Sequence, residues 1–342
     1  MMTDFFNTVR SYLLEYMPNQ KCFSPNTIKA HKNVLNLFVS YLRNEKRMKL
    51  EKIGFATLDK QIVLDFLEWL EETRGCSAAS RNQRLSVLRT FLEYAGERDC
   101  TQVALELSIK KIPAKKHVKT IVEFLSENAL KTLLEQPNIT RLNGQRDRFF
   151  MTLMYDTAAR VSELLDMKVC DLKIDTAHPI AYLCGKGNKV RSVPLMPKTV
   201  EHCKGYLRCF HPDADHSCKD YLFYTTIHDE RQQMSAAAVG AFMKKYGESA
   251  RLTCPEVPER VHPHQLRHTR AIHFYRNGMP LVLVGEYLGH VSPETTRVYA
   301  YADTEMKRAA IEKADGGCES TSQIAPVWQN NEDMILKLSG LK

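Results

Sequence analysis

No stretch of this 342-residue chain approaches the roughly 18 to 20 uninterrupted apolar residues that a membrane-spanning helix requires. Glycine and proline are sparse, at 15 and 14 residues, and no biased tract runs through the sequence, which excludes a collagenous or mucin-like chain. With 44% hydrophobic and 26% charged residues it is not a largely disordered one either. The opening Met1 to Phe6 lacks the basic-then-apolar order of an export signal, so a cytoplasmic location is expected. In that compartment the ten cysteines between Cys22 and Cys318 read as reduced thiols, not as a disulfide framework.

What is present suits two soluble domains, each large enough to bury its own core. Lysine and arginine number 48 against 40 aspartates and glutamates, a net charge of +8. Residues 1–120 hold 20 basic against 13 acidic residues, and the remainder hold 28 against 27. An even spread would leave most of the excess in the longer second part, so the first part is built to meet a polyanion, and nucleic acid is the commonest one in cells. A merely well-solvated surface is the plain alternative.

Residues 1–108 read as four or five helices. Ser24 and Pro25 form an N-cap with proline at the first helical position, followed by Ile28, Leu35, Phe38 and Leu42 at helical spacing. A helix after Thr57 aligns Ile62, Phe66 and Leu70, with Gly75 placed to end it. The next starts near Ser77 and turns Leu85, Leu88 and Leu92 inward, leaving Arg81, Arg84 and Arg89 on other faces as candidates for a phosphate backbone, or simply as a solvated face. Residues 109–123 read as an interdomain linker in which Lys110, Lys111, Lys115 and Lys116 accompany no acidic residue before Lys119. Such a basic connector suits crossing a duplex groove, or staying extended by self-repulsion.

From residue 124 to 315 the texture is mixed. Ile180 to Cys184 and Val190 to Leu195 are short β-rich runs around Gly185-Lys-Gly-Asn-Lys189, a hairpin with a basic tip. Helices are expected over about 146–154, 198–210, 235–249, 264–276, 280–289 and 293–300. The tail, 316–342, opens on Gly-Gly and closes on an apolar set, Ile335, Leu338 and Leu341, suited to docking on another protomer.

The polar motifs of this second part are weak singly and strong in order: Arg160 in Thr157-Ala-Ala-Arg-Val-Ser-Glu-Leu164, Lys186 in the hairpin, His264 and Arg267 in Pro263-His-Gln-Leu-Arg-His268, His290 in Leu288-Gly-His290, and Tyr299 nine residues on. In identity, order and spacing they resemble the tyrosine recombinase (phage integrase) family, in particular its Xer-like bacterial and mobile-element members. The resemblance covers the segment from about 124 to 315 and, more loosely, the helical N-terminal part. It implies a mostly α fold with a small antiparallel β element: a helical core-binding domain followed by a mixed α/β catalytic domain. It also implies a site-specific recombinase that cuts and rejoins DNA through a 3′-phosphotyrosyl link and a Holliday junction. Its partners would be double-stranded recombination sites, further copies of the chain in a tetramer with a dimer on each site, and, for members that need them, accessory proteins. Arg160, Lys186, His264, Arg267, His290 and Tyr299 match the family's catalytic set. A silent DNA-binding protein of the same fold, or a type IB topoisomerase-like nicking and rejoining enzyme, are the alternatives. Two departures stand out: Ala158 occupies a position usually held by glycine, and Tyr301 lies two residues from Tyr299, about 200° around a helix.

The chemistry agrees independently. A phenol attacking phosphorus conserves the phosphodiester's energy in a covalent intermediate, so rejoining needs no ATP. Arg160 and Arg267 present forked donors to the non-bridging oxygens. Lys186 suits protonation of the leaving 5′ oxygen, and His264 and His290 suit a hydrogen bond to phosphate or proton removal from Tyr299. Glu163 and His268 read as residues that hold loops in place. Lys189 and Arg191 are candidate DNA contacts from the hairpin. No clustered carboxylates suited to Mg²⁺ accompany these groups, so no metal or other cofactor is expected. His202, Cys203, Cys209, His211, His216 and Cys218 lie within 17 residues, but without a paired C-x₂₋₄-C they read as ordinary side chains and not as a zinc site.

Overall fold

A computed structural model describes residues 3–116, 122–185, 187, 189–215, 217–290, 292–302, 308 and 332–339. The chain divides into two compact units, residues 1–119 and 120–342. Among the described residues no helix is long and apolar enough to cross a membrane.

The first unit is helical: α1 (Asp4–Ser11), a π-helical turn (Tyr12–Gln20), α2 (Pro25–Asn44), α3 (Lys60–Glu72), α4 (Ala78–Arg98) and α5 (Val103–Lys110). Three starts are capped in the usual way, the side chains of Ser24, Asp59 and Ser77 accepting from the backbone N–H of Thr27, Ile62 and Ser80. Apolar faces meet in one core in which Phe5, Phe55 and Phe91 pack partly edge to face, and Phe38 lies edge-on to Phe66 at 5.0 Å.

The basic stretch does not begin as a free linker. Ile109 and Ile112 are fully buried in this core, and the Asn82 side chain exchanges two hydrogen bonds with the Lys115 backbone at 2.7 and 2.9 Å. Two isoleucines flanking a lysine pair enter the core while the segment runs along α4 from Arg89 to Arg81, a packing role that a reading by charge overlooks. Residues 117–121 lie outside the described residues.

The second unit contains α6 (Glu127–Glu135), α7 (Leu142–Thr157), α8 (Val161–Leu165), β1 (Leu172–Lys173), β2 (Ile180–Cys184), β3 (Val190–Pro194), α9 (Pro197–Phe210), β4 (Tyr224–Ile227), β5 (Glu230–Gln233), α10 (Ala236–Thr253), α11 (Pro263–Arg276), α12 (Leu281–Leu288), α13 (Pro293–Ala302) and α14 (Glu332–Leu338). The three-stranded sheet is antiparallel in the order β1-β2-β3, with Leu183 opposite Arg191. Ala181, Leu183 and Val193 point into the main core beside Phe149, Phe150 and Phe223, while their neighbours face out. The β4–β5 hairpin escapes the sequence pattern because its turn is His228-Asp229, both at positive φ, instead of an Asn-Gly or Asp-Gly pair.

A second, smaller core holds Ala158, Ala271, Ile272, Val284, Leu288 and Tyr299. Between the cores sits Asp156, buried at the end of α7, which accepts from the Met196 N–H at 3.0 Å and from Arg270 at 3.0 Å. This one carboxylate fixes the start of α9 and the flank of α11 against α7.

Candidate active site

Two helix ends build the site. α7 stops at Ala158, which takes the left-handed conformation (φ 48°, ψ 31°), and α12 stops at Gly289 (φ 64°, ψ 44°). Each end leaves a carbonyl unused by its helix, and both face the Arg267 guanidinium, which donates to Ala158 O at 2.6 Å and to Leu288 O at 2.7 Å. Arg267 is only 3% exposed. Burial and then the nearby Arg160 charge lower its pKa to about 10, which leaves it protonated at neutral pH.

Arg160 begins α8. Its backbone N–H donates to Glu163 Oε2 at 2.8 Å and its guanidinium to Oε1 at 2.7 Å. Arg191, from β3, grips the same carboxylate with both ends of its fork, at 3.0 and 2.7 Å. Burial alone would raise the Glu163 carboxyl, but the Arg191 side-chain bonds, the Arg160 N–H and the two positive charges hold it at about 2. Glu163 thus ties α8 to the hairpin. Gly289 completes the clasp, since a Cβ there would stand 3.2 Å from Arg191 Cδ. A cavity of about 640 Å³ opens beside Arg160, Lys189, Arg191, Gly289 and His290.

Tyr299, on α13, is 1% exposed. Burial raises its pKa, opposed by the positive charges of Arg267 and Arg160. Its hydroxyl lies 3.0 Å from His268 Nδ1, and its ring lies nearly parallel to that of His290 with centroids 6.4 Å apart. His290 Nδ1 pairs with Thr296 Oγ1 at 2.9 Å. Burial, with the charges of Arg267 and its neighbours, lowers both His268 and His290 to about 4, so both rings are neutral at pH 7. His264, at the start of α11, is exposed, and partial desolvation and the charges of Arg267, His262 and Arg160 lower it too.

Arg160, Arg267, His290 and Tyr299 therefore converge on one cluster. Lys186 lies outside the described residues, between Gly185 and Gly187 of the hairpin. The side chain that sequence reasoning underrates is His268. Periodicity carries only part of the signal: four residues after His264 on one helix, it falls on the same face, one turn further in, while its partner Tyr299 comes from another helix.

In the first unit the candidate phosphate contacts divide. Arg81 is 8% exposed, donates to Pro113 O at 3.3 Å and sits 3.7 Å from Glu71. Arg89 donates to Lys110 O at 3.2 Å and to Ile112 O. Arg84 donates to Ser80 O at 3.0 Å. The first two are committed to holding the segment after α5, which a helical wheel of α4 alone cannot show. Lys110 and Lys115 pair with Glu93 and Glu71, and Lys111 and Lys116 are exposed. Around α9, His211 is buried with Nε2 3.0 Å from Leu222 O, and burial lifts the Cys203 thiol to about 12. Among the described residues no three His, Cys, Asp or Glu side chains converge as metal ligands, and His216 lies outside them.

Residues 123–306 match the family model described as phage integrase family, and residues 9–99 match the phage integrase N-terminal SAM-like domain. The chain belongs to the phage integrase family. It is 27% identical over 319 residues to a putative integrase/recombinase of Sinorhizobium fredii, covering 93% of this chain and 94% of that one. It is 29% identical over 302 residues to the tyrosine recombinase XerD of Staphylococcus epidermidis, covering 88% and 96%. Its fold matches that of the Tn1549 transposon integrase in complex with a circular intermediate DNA (TM-score 0.66, 16% identity, 90% and 99% covered). It also matches XerH site-specific recombinase bound to palindromic difH substrate (TM-score 0.61, 20% identity, 84% and 80% covered).

Proposed function

We propose that this chain is a site-specific DNA recombinase, acting in the cytoplasm, that cleaves and rejoins duplex DNA through a 3′-phosphotyrosyl intermediate and exchanges strands through a Holliday junction. The observation that carries this is that Tyr299 shares one cluster with Arg267 and His290, and feels the charge of Arg160 as well. Relatives named as recombinases and integrases, two solved on DNA, support the same reading.

In this mechanism Arg160 and Arg267 hold the non-bridging oxygens of the scissile phosphate. The two guanidiniums are already fixed by Glu163 and by two carbonyls, so little reorganisation is needed as charge develops. Tyr299 attacks phosphorus, and the 5′ oxygen leaves with a proton from Lys186, carried on the hairpin that borders the cavity. His290 and His264 hydrogen-bond the phosphate. The two arginines and the lysine supply the charge stabilisation in this scheme, with no step assigned to a metal or to ATP.

Incubation with a nicked suicide substrate carrying the chain's own site should trap a covalent protein–DNA species that Tyr299→Phe abolishes. The near-complete burial of Tyr299 is the observation that favours the rival reading, a protein that binds sites without cutting them. Specific binding with no covalent species would establish that rival.

The acting unit is a tetramer with a dimer on each site. Its docking element is the tail, whose α14 exposes Leu336 and Leu338, while Leu341 lies outside the described residues. Removing residues 328–342 should weaken assembly of paired sites far more than binding to one site, and equal loss of both in gel-shift titrations would refute this.

A further inference from the structure

We propose that His268 is a further catalytic residue of this site, the group that takes the phenolic proton from Tyr299 as its oxygen attacks phosphorus and returns it when the strand is rejoined. The proposal rests on the reading of Tyr299 as nucleophile and adds to it the identity of the base.

Geometry separates the three histidines of the cluster. His268 Nδ1 stands 3.0 Å from the Tyr299 hydroxyl and is, among the described residues, its hydrogen-bond partner. His290 stacks against the same ring but directs Nδ1 to Thr296 Oγ1, and among the described residues it makes no hydrogen bond to the phenol oxygen. His264 is exposed at the start of α11, better placed for an approaching phosphate than for a buried hydroxyl. A general base has to lie within hydrogen-bond reach of the proton it removes, and of the three His268 meets that condition.

The protons balance. For Nδ1 to accept, His268 carries its proton on Nε2, and the Tyr299 O–H bond breaks toward Nδ1 as the O–P bond forms. The P–O5′ bond breaks in the same displacement, and the departing oxygen takes its proton from the hairpin lysine. In the return step the 5′ hydroxyl attacks phosphorus, the phenolate leaves, and Nδ1 gives the proton back.

The surroundings also make the base conditional. Burial comes first among the causes that hold the imidazole neutral and weakly basic, followed by the charges of His264, Arg267 and His262. A phosphodiester bound between Arg160 and Arg267 brings a negative charge that offsets those guanidiniums, and the forming phenolate favours an imidazolium beside it. Proton acceptance is therefore strongest when substrate is in place, and a buried tyrosine without DNA stays protonated and inert.

The test uses the full-length protein and the nicked suicide substrate under single-turnover conditions, following the covalent species. His268→Ala should slow its appearance by roughly 10²- to 10⁴-fold while site binding stays within about twofold. A fluorinated tyrosine at position 299, whose phenol is more acidic, should recover much of the rate in His268→Ala and much less in His264→Ala. Added imidazole should restore part of the rate to His268→Ala. Cleavage by His268→Ala at the wild-type rate overturns the proposal. So does a slow variant that neither the acidic phenol nor imidazole rescues, since that is the behaviour of a packing residue. If His268→Ala fails to fold, His268→Gln in the same fluorotyrosine comparison decides in its place. A wild-type protein that forms no covalent species would instead remove the nucleophile assignment itself, an outcome distinct from a failure confined to His268.

Discussion

Arg89 in the first unit and Arg267 in the second do similar work locally and differ in everything else. Each guanidinium is spent on two backbone carbonyls near helix ends, Lys110 O and Ile112 O for Arg89, Ala158 O and Leu288 O for Arg267. Arg89 thereby fastens one segment of its own unit. Arg267 fastens two helix ends whose junction also carries Arg160, His290 and Tyr299, so the same bonds that hold the fold aim a positive charge at the proposed reacting centre. Net charge points to the first unit as the polyanion-facing one, yet it does not say which cations are committed to the chain itself. That distinction can be broken or sharpened by substitution.

The largest effect is expected at Arg267. Arg267→Ala should lower suicide-substrate cleavage by roughly 10³-fold or more, the scale for loss of an oxyanion-stabilising donor, and should also lower Tm because two buried carbonyls lose their donor. Arg160→Ala should reduce cleavage comparably with a much smaller change in Tm, since Arg191 still holds Glu163. Equal Tm losses in the two variants would show that the carbonyl contacts of Arg267 contribute nothing particular.

The next contrast lies within the first unit. Arg89→Ala should destabilise that unit by about 1 kcal/mol in denaturant unfolding, the cost of stranding the part-buried Ile112 carbonyl, the bond to Lys110 O being solvent-exposed. Lys111→Gln and Lys116→Gln, both at exposed positions, should leave stability unchanged and each reduce the salt dependence of DNA binding by about 0.9 in log–log slope. If Arg89→Ala changed the salt slope and not the stability, the division drawn between structural and phosphate-facing cations would fail.

These expectations also mark what the sequence could carry. The cap at Ser24, the helix starts after Thr57 and near Ser77, the β2–β3 hairpin and the order of the motifs that carry the family resemblance are all local or ordered signals, and they are legible. The role of Arg89 depends on where the chain passes after α5, and the role of His268 depends on α13 folding back onto α11. Both are contacts across more than 20 residues, which spacing within one helix does not encode. Glu163 is intermediate: its cap of Arg160 is local, while its hold on Arg191 requires the sheet.

A smaller effect separates the units by pH. His268 and His290 fall from the ordinary histidine value of 6.5 to about 4, so between those values the unfolded chain binds protons that the folded site refuses. Their contribution is fully present above pH 6.5 and is lost as pH falls toward 4. Native-state hydrogen exchange should show α11 and α13 losing protection between pH 7 and 5 more than α3 and α4, which carry no histidine. His268→Gln should flatten that loss, and an unchanged slope would mean the rings do not titrate as their surroundings require.

The smallest effect is expected at Ala158, where the second unit holds a strained residue. A non-glycine residue at φ 48° costs about 1 kcal/mol, and this one is fully buried with its carbonyl fixed by Arg267. Ala158→Gly relieves the strain but gives the unfolded chain more freedom, so the net gain should be about 0.5 kcal/mol. The informative reading is cleavage. If the strained turn serves only to end α7, the glycine variant should cut DNA at the wild-type rate. If it serves to press the carbonyl onto Arg267, the variant should be slightly more stable and measurably slower, and stability and activity would part at a single methyl group.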